Sequence, residues 1–404
     1  MAGLSETGAD AAVFGFIGTG HPFHGPLRRL RERIARSPAF AQLQARTAAG
    51  QPTSLHAEIK GDYRADGWAI GRFYYSIQYP EPERPGAYYA WSLHQGPNGT
   101  VPQAVEFPRD PKLAALDRMW PGAGERVLRY VPLRRVTFLQ PADHAGPERI
   151  GKLKKPHRCR DGYARLQAVA AAAADAGCTI PRPLGVDAPR GLFYQQKVPG
   201  REVGTLLDRA NHRVHLAAVG ELHGRLGRLP VRNMPRWDRQ GVLGNLWQDL
   251  DWIGFHLPEH QPLLERLSHR LHRRIAALAP APAAFCHGDF ACSQVLRHDG
   301  GWSVVDFDLA GVGDPYQDVA MFLVSLAYDV PLFGRSPELL EAAAGCYLDG
   351  YRDAAAQVLD GPTLDWYRAC AEIYHLALVL KKDRYCEAAC RRALQRLCRL
   401  LEVH

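Results

Sequence analysis

A short segment interrupts what is otherwise a helical second half of the chain. Residues 200–404 have apolar side chains mostly at helical spacing, but Phe285–Asp308 holds two short apolar pairs, Val295-Leu296 and Val304-Val305. Between the pairs stands His298-Asp299-Gly300-Gly301, a turn sequence typical of a β-hairpin. The predicted hairpin also carries the most informative polar residues of the sequence.

Two carboxylates and one amide stand at defined spacings around this hairpin. Asp289 lies on the loop that enters the first strand, Gln294 follows five residues later, and Asp306 follows Asp289 by 17 residues, where the second strand ends. Because the strands return antiparallel, we expect the three side chains to surround one point. Hard cations such as Mg²⁺ prefer oxygen ligands and keep positions for phosphate oxygens, and a carboxylate free of the metal can orient a hydroxyl.

These residues form a pattern that resembles a known family. The loop reads His-Gly-Asp-x-x-x-x-Gln from His287, the strand end reads Asp306-Phe307-Asp308, and Gly313-Asp314-Pro315 with Asp318 follows. In this order they resemble the aminoglycoside phosphotransferase/choline kinase-like small-molecule kinases, over roughly residues 124–400. The alternative is a surface hairpin that happens to be acidic.

The resemblance implies a role for each matching position. Asp289 resembles the catalytic aspartate, Asp306 the principal Mg²⁺ ligand, and Gln294 takes the place of the metal-binding asparagine. His287 resembles the histidine that supports the loop by hydrogen bonding, and Asp308 either lines the site or holds the loop after Asp306. Two further residues resemble structural acids, Asp314 and Asp318.

Gln294 departs from the commonest pattern. It offers the same amide oxygen on a longer side chain, so it can coordinate a metal if the backbone recedes slightly. The loop with Gln also resembles the maltokinase-like branch, whose kinase fold follows an N-terminal cap domain. The metal strand here lacks that branch's Asp-Phe-Glu-Gly-Glu sequence, so the substrate does not follow from the resemblance.

Three short strands precede this region and resemble the nucleotide lobe of the family. They are predicted at Val127–Val131, Arg135–Leu139 and Glu148–Lys154. Lys152 resembles the lysine that holds ATP phosphates, and Lys154, two residues on and on the same strand face, is the alternative. Lysines that discourage aggregation at a sheet edge are the structural explanation for both.

Two departures concern this lobe. The helix predicted next, Tyr163 to Ala176 and ending at Gly177, has no glutamate at the expected place to pair with the lysine, and only Gln167 or Asp161 could serve. No Gly-x-Gly-x-x-Gly motif occurs, and Pro132–Arg135 stands at the corresponding turn.

Strands are also predicted at Pro181–Val186 and Leu192–Val198. Tyr194–Val198 resembles the hinge between lobes, where backbone groups hold the adenine ring, which makes Gln196 and Val198 candidate nucleotide-binding residues.

The first part of the chain has a different pattern. Short helices are predicted around Leu27–Ile34 and after Ser37-Pro38, followed by three strands at Leu55–Ile59, Trp68–Tyr79 and Ala87–His94. The aromatic residues of this predicted meander suit half-buried strands as well as a ligand surface.

Composition excludes several other classes of protein. The net charge of +8 comes from scattered basic residues, which favours anionic ligands such as nucleotides but gives no basic stripe for nucleic acid. No Lys or Arg precedes Arg28, and no apolar run approaches membrane-spanning length. The nine cysteines, including the i, i+4 pair Cys386 and Cys390, are interpreted as reduced thiols. We therefore expect a cytoplasmic protein without a membrane or nucleic-acid partner.

The sequence predicts an α+β protein with a bilobal protein kinase-like fold, a small β-rich N-lobe and a large helical C-lobe, preceded by an α/β N-terminal cap. The expected divisions are a cap over residues 1–123, a nucleotide-binding lobe over 124–198, and a helical lobe with the catalytic loop and acceptor site over 199–404.

The expected reaction is transfer of the γ-phosphate of ATP, or of GTP, with Mg²⁺, to a hydroxyl of a small molecule. A sugar or sugar-containing metabolite is the favoured acceptor, because the chain is basic and a polycationic aminoglycoside needs a cluster of carboxylates. An antibiotic O-phosphotransferase, a nucleotide-binding pseudokinase scaffold and, on charge alone, a polyanion-binding protein are the alternatives.

Overall fold

The computed structural model describes residues 54–403 apart from several short segments (65–66, 79–88, 97–98, 107, 120–124, 132–133, 143–145, 174–176, 356–358 and 382–386). Side chains are described from residue 108 onward, except at 255, 256 and 381. The two helices predicted before residue 50, and Cys386, lie outside the described residues. The described chain divides into two compact units: the first runs to Pro156 and includes Asp187–Leu192 and Leu378–Tyr385, and the second contains the rest.

The first unit begins with two antiparallel ribbons. Strand β1 (Ser54–Arg64) pairs with β2 (Gly67–Gln78), and β3 (Tyr89–Gly96) pairs with β4 (Gly99–Glu106). The three predicted strands are present, but β4 was not predicted, because Pro102 lies inside it and proline is usually excluded from strands. Pro102 is tolerated in the register opposite Leu93 of a two-stranded ribbon.

An antiparallel meander follows the short helix α1 (Ala115–Met119) in the first unit. It consists of β5 (Arg126–Val131), β6 (Arg135–Gln140) and β7 (Arg149–Lys154), within one residue of the predicted bounds. The meander buries six hydrophobic side chains, those of Val127, Tyr130, Val131, Val136, Phe138 and Leu153. Gly151 lies beneath the Phe138 ring, and a Cβ there would come within 2.2 Å of the ring.

The second unit is mainly helical. Helix α2 (Pro156–Ala171) begins earlier than predicted, because Pro156 occupies the first helical position, where its missing N–H costs nothing. It also ends before the predicted Gly177, since the Ala172 amide donates to Val169 in a tighter i−3 turn. The remaining helices are α3 (His212–Leu226), α4 (Arg239–His256), α5 (Gln261–Arg274), α6 (Tyr316–Asp329), α7 (Pro331–Gly334), α8 (Pro337–Ala355), α9 (Gly361–Lys381) and α10 (Glu387–Leu401).

Helices α3 and α8 cross at very short distance. A Cβ added at Gly220 of α3 would lie 2.0 Å from the Tyr347 carbonyl oxygen, and one at Gly350 of α8 would lie 2.0 Å from that of Ala217. Only glycine permits this approach on each helix, so the crossing fixes the positions of the side chains around it.

Seven further short strands follow along the chain: β8 (Pro183–Asp187), β9 (Leu192–Gln196), β10 (Arg201–Glu202), β11 (Ala284–Cys286), β12 (Val295–His298), β13 (Gly301–Val304) and β14 (Gly311–Gly313). The predicted hairpin is β12–β13, with Val295 opposite Val304. On one side of the hairpin β10 pairs with β12, and on the other an isolated bridge joins Thr179 to Ser303 of β13. The strands before and after the hairpin, β11 and β14, form a separate antiparallel pair. The α+β prediction is confirmed.

No helix in the described part of the chain is long and apolar enough to cross a membrane.

The buried carboxylate of Glu372 joins three helices. Glu372 of α9 is 1% exposed and accepts hydrogen bonds from Arg396 of α10 (Nη2 at 2.6 Å) and from the Tyr328 hydroxyl of α6 (2.5 Å). Burial opposes the charge on Arg396, but the Glu372 carboxylate outweighs it and raises the pKa of the guanidinium. The last helix is therefore held by a desolvated ion pair.

Glu372→Ala leaves the Arg396 charge buried without its counterion, so we expect the free energy of unfolding to fall by about 3–5 kcal/mol. Glu387→Ala is the matched control, because it breaks the exposed 2.6 Å pair with Arg391 and should cost less than about 1 kcal/mol. Chemical denaturation measures both variants. Equal losses would contradict the assignment of Glu372 as the residue that anchors α10.

Candidate active site

The loop between β11 and β12 begins with a backbone conformation that requires glycine. Gly288 has φ +81, and a Cβ there would lie 2.3 Å from the Leu309 carbonyl oxygen. The glycine therefore lets the loop pass directly against the chain that follows β13. Asp289 comes next and is half-buried.

The His287 ring links this loop to the end of β13. The ring is buried, its Nδ1 accepts a hydrogen bond from the Asp289 amide (3.3 Å), and its Nε2 lies 2.9 Å from the Val305 carbonyl oxygen. Because an amide can only donate, Nδ1 is the unprotonated nitrogen, and Nε2–H donates to Val305. A neutral imidazole thus fixes residue 289 relative to residue 305.

Asp318, in the first turn of α6, holds the start of the loop. Its carboxylate accepts hydrogen bonds from the His287 amide and, at 2.9 Å, from the Gly288 amide. Asp318 is 1% exposed, and burial raises the pKa of its carboxyl to about 7, although the two amide donors oppose this shift. The carboxyl acts on the loop through the backbone.

His223 of α3 covers the other side of Asp318. Its ring stacks on Phe290 at 4.1 Å between centroids, its Nδ1 lies 2.5 Å from the Tyr347 hydroxyl, and its Nε2 lies 3.9 Å from the Asp318 carboxylate. Burial, with His287 nearby, lowers the pKa of His223 to about 3, so this ring is neutral. Sequence reasoning missed His223, because a single histidine on an apolar helix face gives no signal.

Gln294 and Asp306 are brought together by the hairpin. The Val305 amide donates to the Gln294 carbonyl oxygen at 3.0 Å, so the residue before Asp306 is tied to Gln294. Asp306 has φ 68, a left-handed conformation that aspartate tolerates better than most residues. Both side chains are half-buried. The short segments 287–289, 294 and 305–306 therefore converge around Val305.

The chain after Asp306 is fixed by two arginines that sequence reasoning also missed. Arg165 of α2 donates to the Asp308 carbonyl oxygen, and the Asp308 side chain is half-buried. Arg239 of α4 donates to Asp314 from Nη2 at 2.6 Å and to the Ala279 carbonyl oxygen at 2.6 Å. Neither contact has a signal in the sequence, because the partners lie far apart along the chain.

Lys152 and Lys154 of β7 are both buried, at 6% and 8% exposure. Such burial is unlike that of solvated lysines at a sheet edge. Both point to the same strand face, so the two remain alternatives for a phosphate-holding lysine.

The candidate hinge residues lie at and just after the end of β9. The Gln196 amide donates to the Arg182 carbonyl oxygen at 2.8 Å, and its side-chain oxygen accepts from Arg182 Nε at 3.2 Å. Val198 is buried and follows the strand by two residues.

Comparisons with known proteins show the family and the fold. The model of the phosphotransferase enzyme family (APH) matches residues 135–356, more than half of the chain. Choline kinase LicA from Streptococcus pneumoniae is similar in structure, with 10% identity, a TM-score of 0.50, and coverage of 72% of this chain and 97% of LicA. A thermostable mutant of the aminoglycoside phosphotransferase APH(4)-Ia, solved with ADP and hygromycin B, has 16% identity and a TM-score of 0.50, over 71% of this chain and 96% of its own. No curated protein matches the sequence.

The fold is that of the kinase-like small-molecule phosphotransferases. The chain belongs to the APH phosphotransferase enzyme family. The predicted kinase-like fold and the predicted enzyme class are both confirmed.

The raised pKa of Asp318 makes stability depend on pH. An aspartate that ionises at pH 3.8 when unfolded and about 7 when folded binds more protons in the folded state between these values. Its contribution to stability therefore decreases as pH rises from about 4 to about 7, by about 4 kcal/mol in total. Asp318→Asn removes this titration, so we expect the stability of the wild type relative to the variant to fall over that interval.

Urea denaturation of wild type and Asp318→Asn at several pH values between about 4 and 8 measures this difference. A difference that stays constant over the interval would contradict a raised pKa.

Proposed function

We propose that the protein transfers the γ-phosphate of ATP to a hydroxyl of a small molecule, with GTP as the alternative donor. The observation that carries the proposal is the convergence of Asp289, Gln294 and Asp306 around Val305, fixed by hydrogen bonds on both sides of the loop. A family of phosphotransferases supplies the reaction class. Because it uses ATP, we propose a cytoplasmic location.

In the proposed mechanism Asp289 is the catalytic residue. Its carboxylate accepts a hydrogen bond from the acceptor hydroxyl and orients the oxygen toward the γ-phosphorus, opposite the leaving ADP oxygen. The new O–P bond forms as the bond to ADP breaks, and the hydroxyl proton passes to Asp289. The His287 hydrogen bond to the Asp289 amide keeps the backbone of this residue in position.

Gln294 and Asp306 would hold the divalent metal. They offer one amide oxygen and one carboxylate, which suits Mg²⁺, an ion that completes its shell with phosphate oxygens and water. Within the described residues no three His, Cys, Asp or Glu side chains form a metal cluster, so the donor set does not fit a site made of protein ligands alone. Bound Mg²⁺ neutralises charge on the phosphates.

For the nucleotide, we propose Lys152 as the phosphate-holding residue, with Lys154 as the alternative. Their place on β7, the strand on which the family resemblance expects this lysine, supports the proposal. The Gln196 amide donates to Arg182, so contacts to the base would come from the Gln196 carbonyl or from the backbone of Val198.

We also propose a division of the chain into a cap (1–123), a nucleotide lobe (124–198) and a helical lobe (199–404). Asp308 is proposed as a supporting residue of the site.

We propose a sugar or sugar-containing metabolite as acceptor, on the basis of the net charge of +8, which opposes a polycationic substrate. An antibiotic O-phosphotransferase is the second candidate, because an APH relative of similar fold was solved with hygromycin B.

Incubation with Mg-ATP and both compound classes, read as a gain of one phosphoryl group in product mass, distinguishes the two candidate acceptors. Phosphorylation of aminoglycosides with none of neutral sugars would reject the sugar proposal, and ATP binding with no product from any class would favour a pseudokinase scaffold.

Asp289→Asn tests the catalytic assignment. Because the carboxylate acts on the acceptor hydroxyl and not on the nucleotide, we expect kcat to fall by roughly 10²-fold or more while Mg-ATP affinity stays nearly unchanged. Steady-state kinetics and calorimetry measure the two quantities. Unchanged turnover in the variant would overturn the role of Asp289.

Asp306 and Gln294 are tested through the metal. Asp306→Ala removes a charged ligand and should weaken Mg-ATP binding strongly, and Gln294→Ala removes a neutral ligand and should weaken it less. Since hydrogen bonds hold the Gln294 backbone on both sides and the side-chain torsions take up the extra methylene, Gln294→Asn should keep more Mg-ATP affinity than the alanine variant. Titrations with Mg²⁺ that are identical for all three variants and the wild type would show that the hairpin has only a structural role.

A further inference from the structure

A groove lined by basic side chains lies where α5 meets the end of the chain. It has a volume of about 630 Å³, and its lining residues are Arg266, His269, Arg270, Arg273, Glu402 and Val403. This volume suits a small molecule. None of these residues belongs to the candidate active site.

The groove follows from the pattern of α5. Leu264, Leu267 and Leu271 form its buried face, and the arginines recur at the same helical spacing on the opposite face. Such a face usually lies on a convex, solvated surface. Here the turn after α10 brings Glu402 and Val403 alongside it, so the basic face becomes one wall of a concavity.

Two arginines of α5 bind the end of α10. Arg270 donates to the Leu401 carbonyl oxygen and pairs with Glu402 at 3.0 Å, and Arg274 donates to the Leu400 carbonyl oxygen and pairs with Glu402 at 2.5 Å. Together they satisfy the last carbonyls of α10 and neutralise both Glu402 and the negative helix end.

The charges of Arg266 and Arg273 are not neutralised by a carboxylate in the described part of the chain. Both are exposed, and neither has an ion-pair or hydrogen-bond partner for its side chain among the residues that the structure describes. His269 is exposed between them on the same face. The single carboxylate of the groove, Glu402, is already shared by two other arginines, so the groove carries a net positive charge.

We propose that this groove is a binding site for a small anion with several phosphate groups, such as a polyphosphate chain or the phosphates of a nucleotide. Guanidinium groups bind phosphate oxygens through paired N–H donors, and two on one helix face with a histidine between them suit a chain of phosphates better than a single anion. No Phe, Tyr or Trp is among the residues that line the groove, so recognition is directed to the phosphates.

The test is calorimetric titration of the full chain with sodium tripolyphosphate in EDTA at low ionic strength. EDTA removes divalent metal and so suppresses metal-dependent nucleotide binding at the proposed active site. We expect one site, and a loss of affinity of about tenfold or more in the variant R266A/R273A, since each arginine supplies charge-assisted hydrogen bonds. Binding should weaken as NaCl is raised, because the groove is open to solvent.

R209A/R228A is the matched control, because it removes the same charge from two exposed arginines outside the groove. The proposal is overturned if the wild type does not bind, if both double variants lose affinity equally, or if citrate binds as tightly as tripolyphosphate. Metal-free ATP titrated in parallel identifies the source of the phosphates: tighter binding than tripolyphosphate indicates a nucleotide, and weaker binding indicates a phosphate chain. Because no step uses Asp289, Gln294 or Asp306, failure here leaves the proposed phosphotransfer untouched.

Discussion

The Asp318 carboxylate accepts hydrogen bonds from two successive amides, those of His287 and Gly288, where the chain leaves β11 and enters the loop. One side chain of α6 thus holds both amides at the start of the loop. His287 in turn holds the Asp289 amide and the Val305 carbonyl oxygen. The geometry of the candidate site therefore rests on a carboxyl that would not itself touch a substrate.

Burying that carboxyl has an energetic cost, which the raised pKa of Asp318 records. The surrounding groups do not offset the cost with a full positive charge, because burial keeps His223 neutral. Stacking of His223 on Phe290 and its contact with the Tyr347 hydroxyl instead make the surroundings of the carboxyl rigid.

Local signals in the sequence predicted the parts of this arrangement that depend on neighbouring residues. The turn at residues 298–301 predicted the β12–β13 hairpin, and β5, β6 and β7 lie within one residue of the predicted strands. The contacts that complete the site are long-range: His223 with Phe290, Arg165 with Asp308 and Arg239 with Asp314 join segments separated by 67, 143 and 75 residues. Periodicity and turn chemistry carry no information about such partners, and the motif resemblance located only one side of each contact.

Gln294 shows how the structure limits what the sequence leaves open. A glutamine in place of asparagine can reach the same ligand position if the backbone recedes, but the Gln294 amide donates to Ala291 at 2.9 Å and its carbonyl accepts from Val305 at 3.0 Å. With the main chain held on both sides, the extra methylene has to be absorbed by the side-chain torsions. The weak contact from Gln294 Nε2 to the Ser293 hydroxyl, at 3.3 Å, leaves the amide oxygen as the group able to turn toward Asp306. The longer side chain therefore changes which rotamer presents the oxygen, while the backbone that positions Asp306 stays fixed.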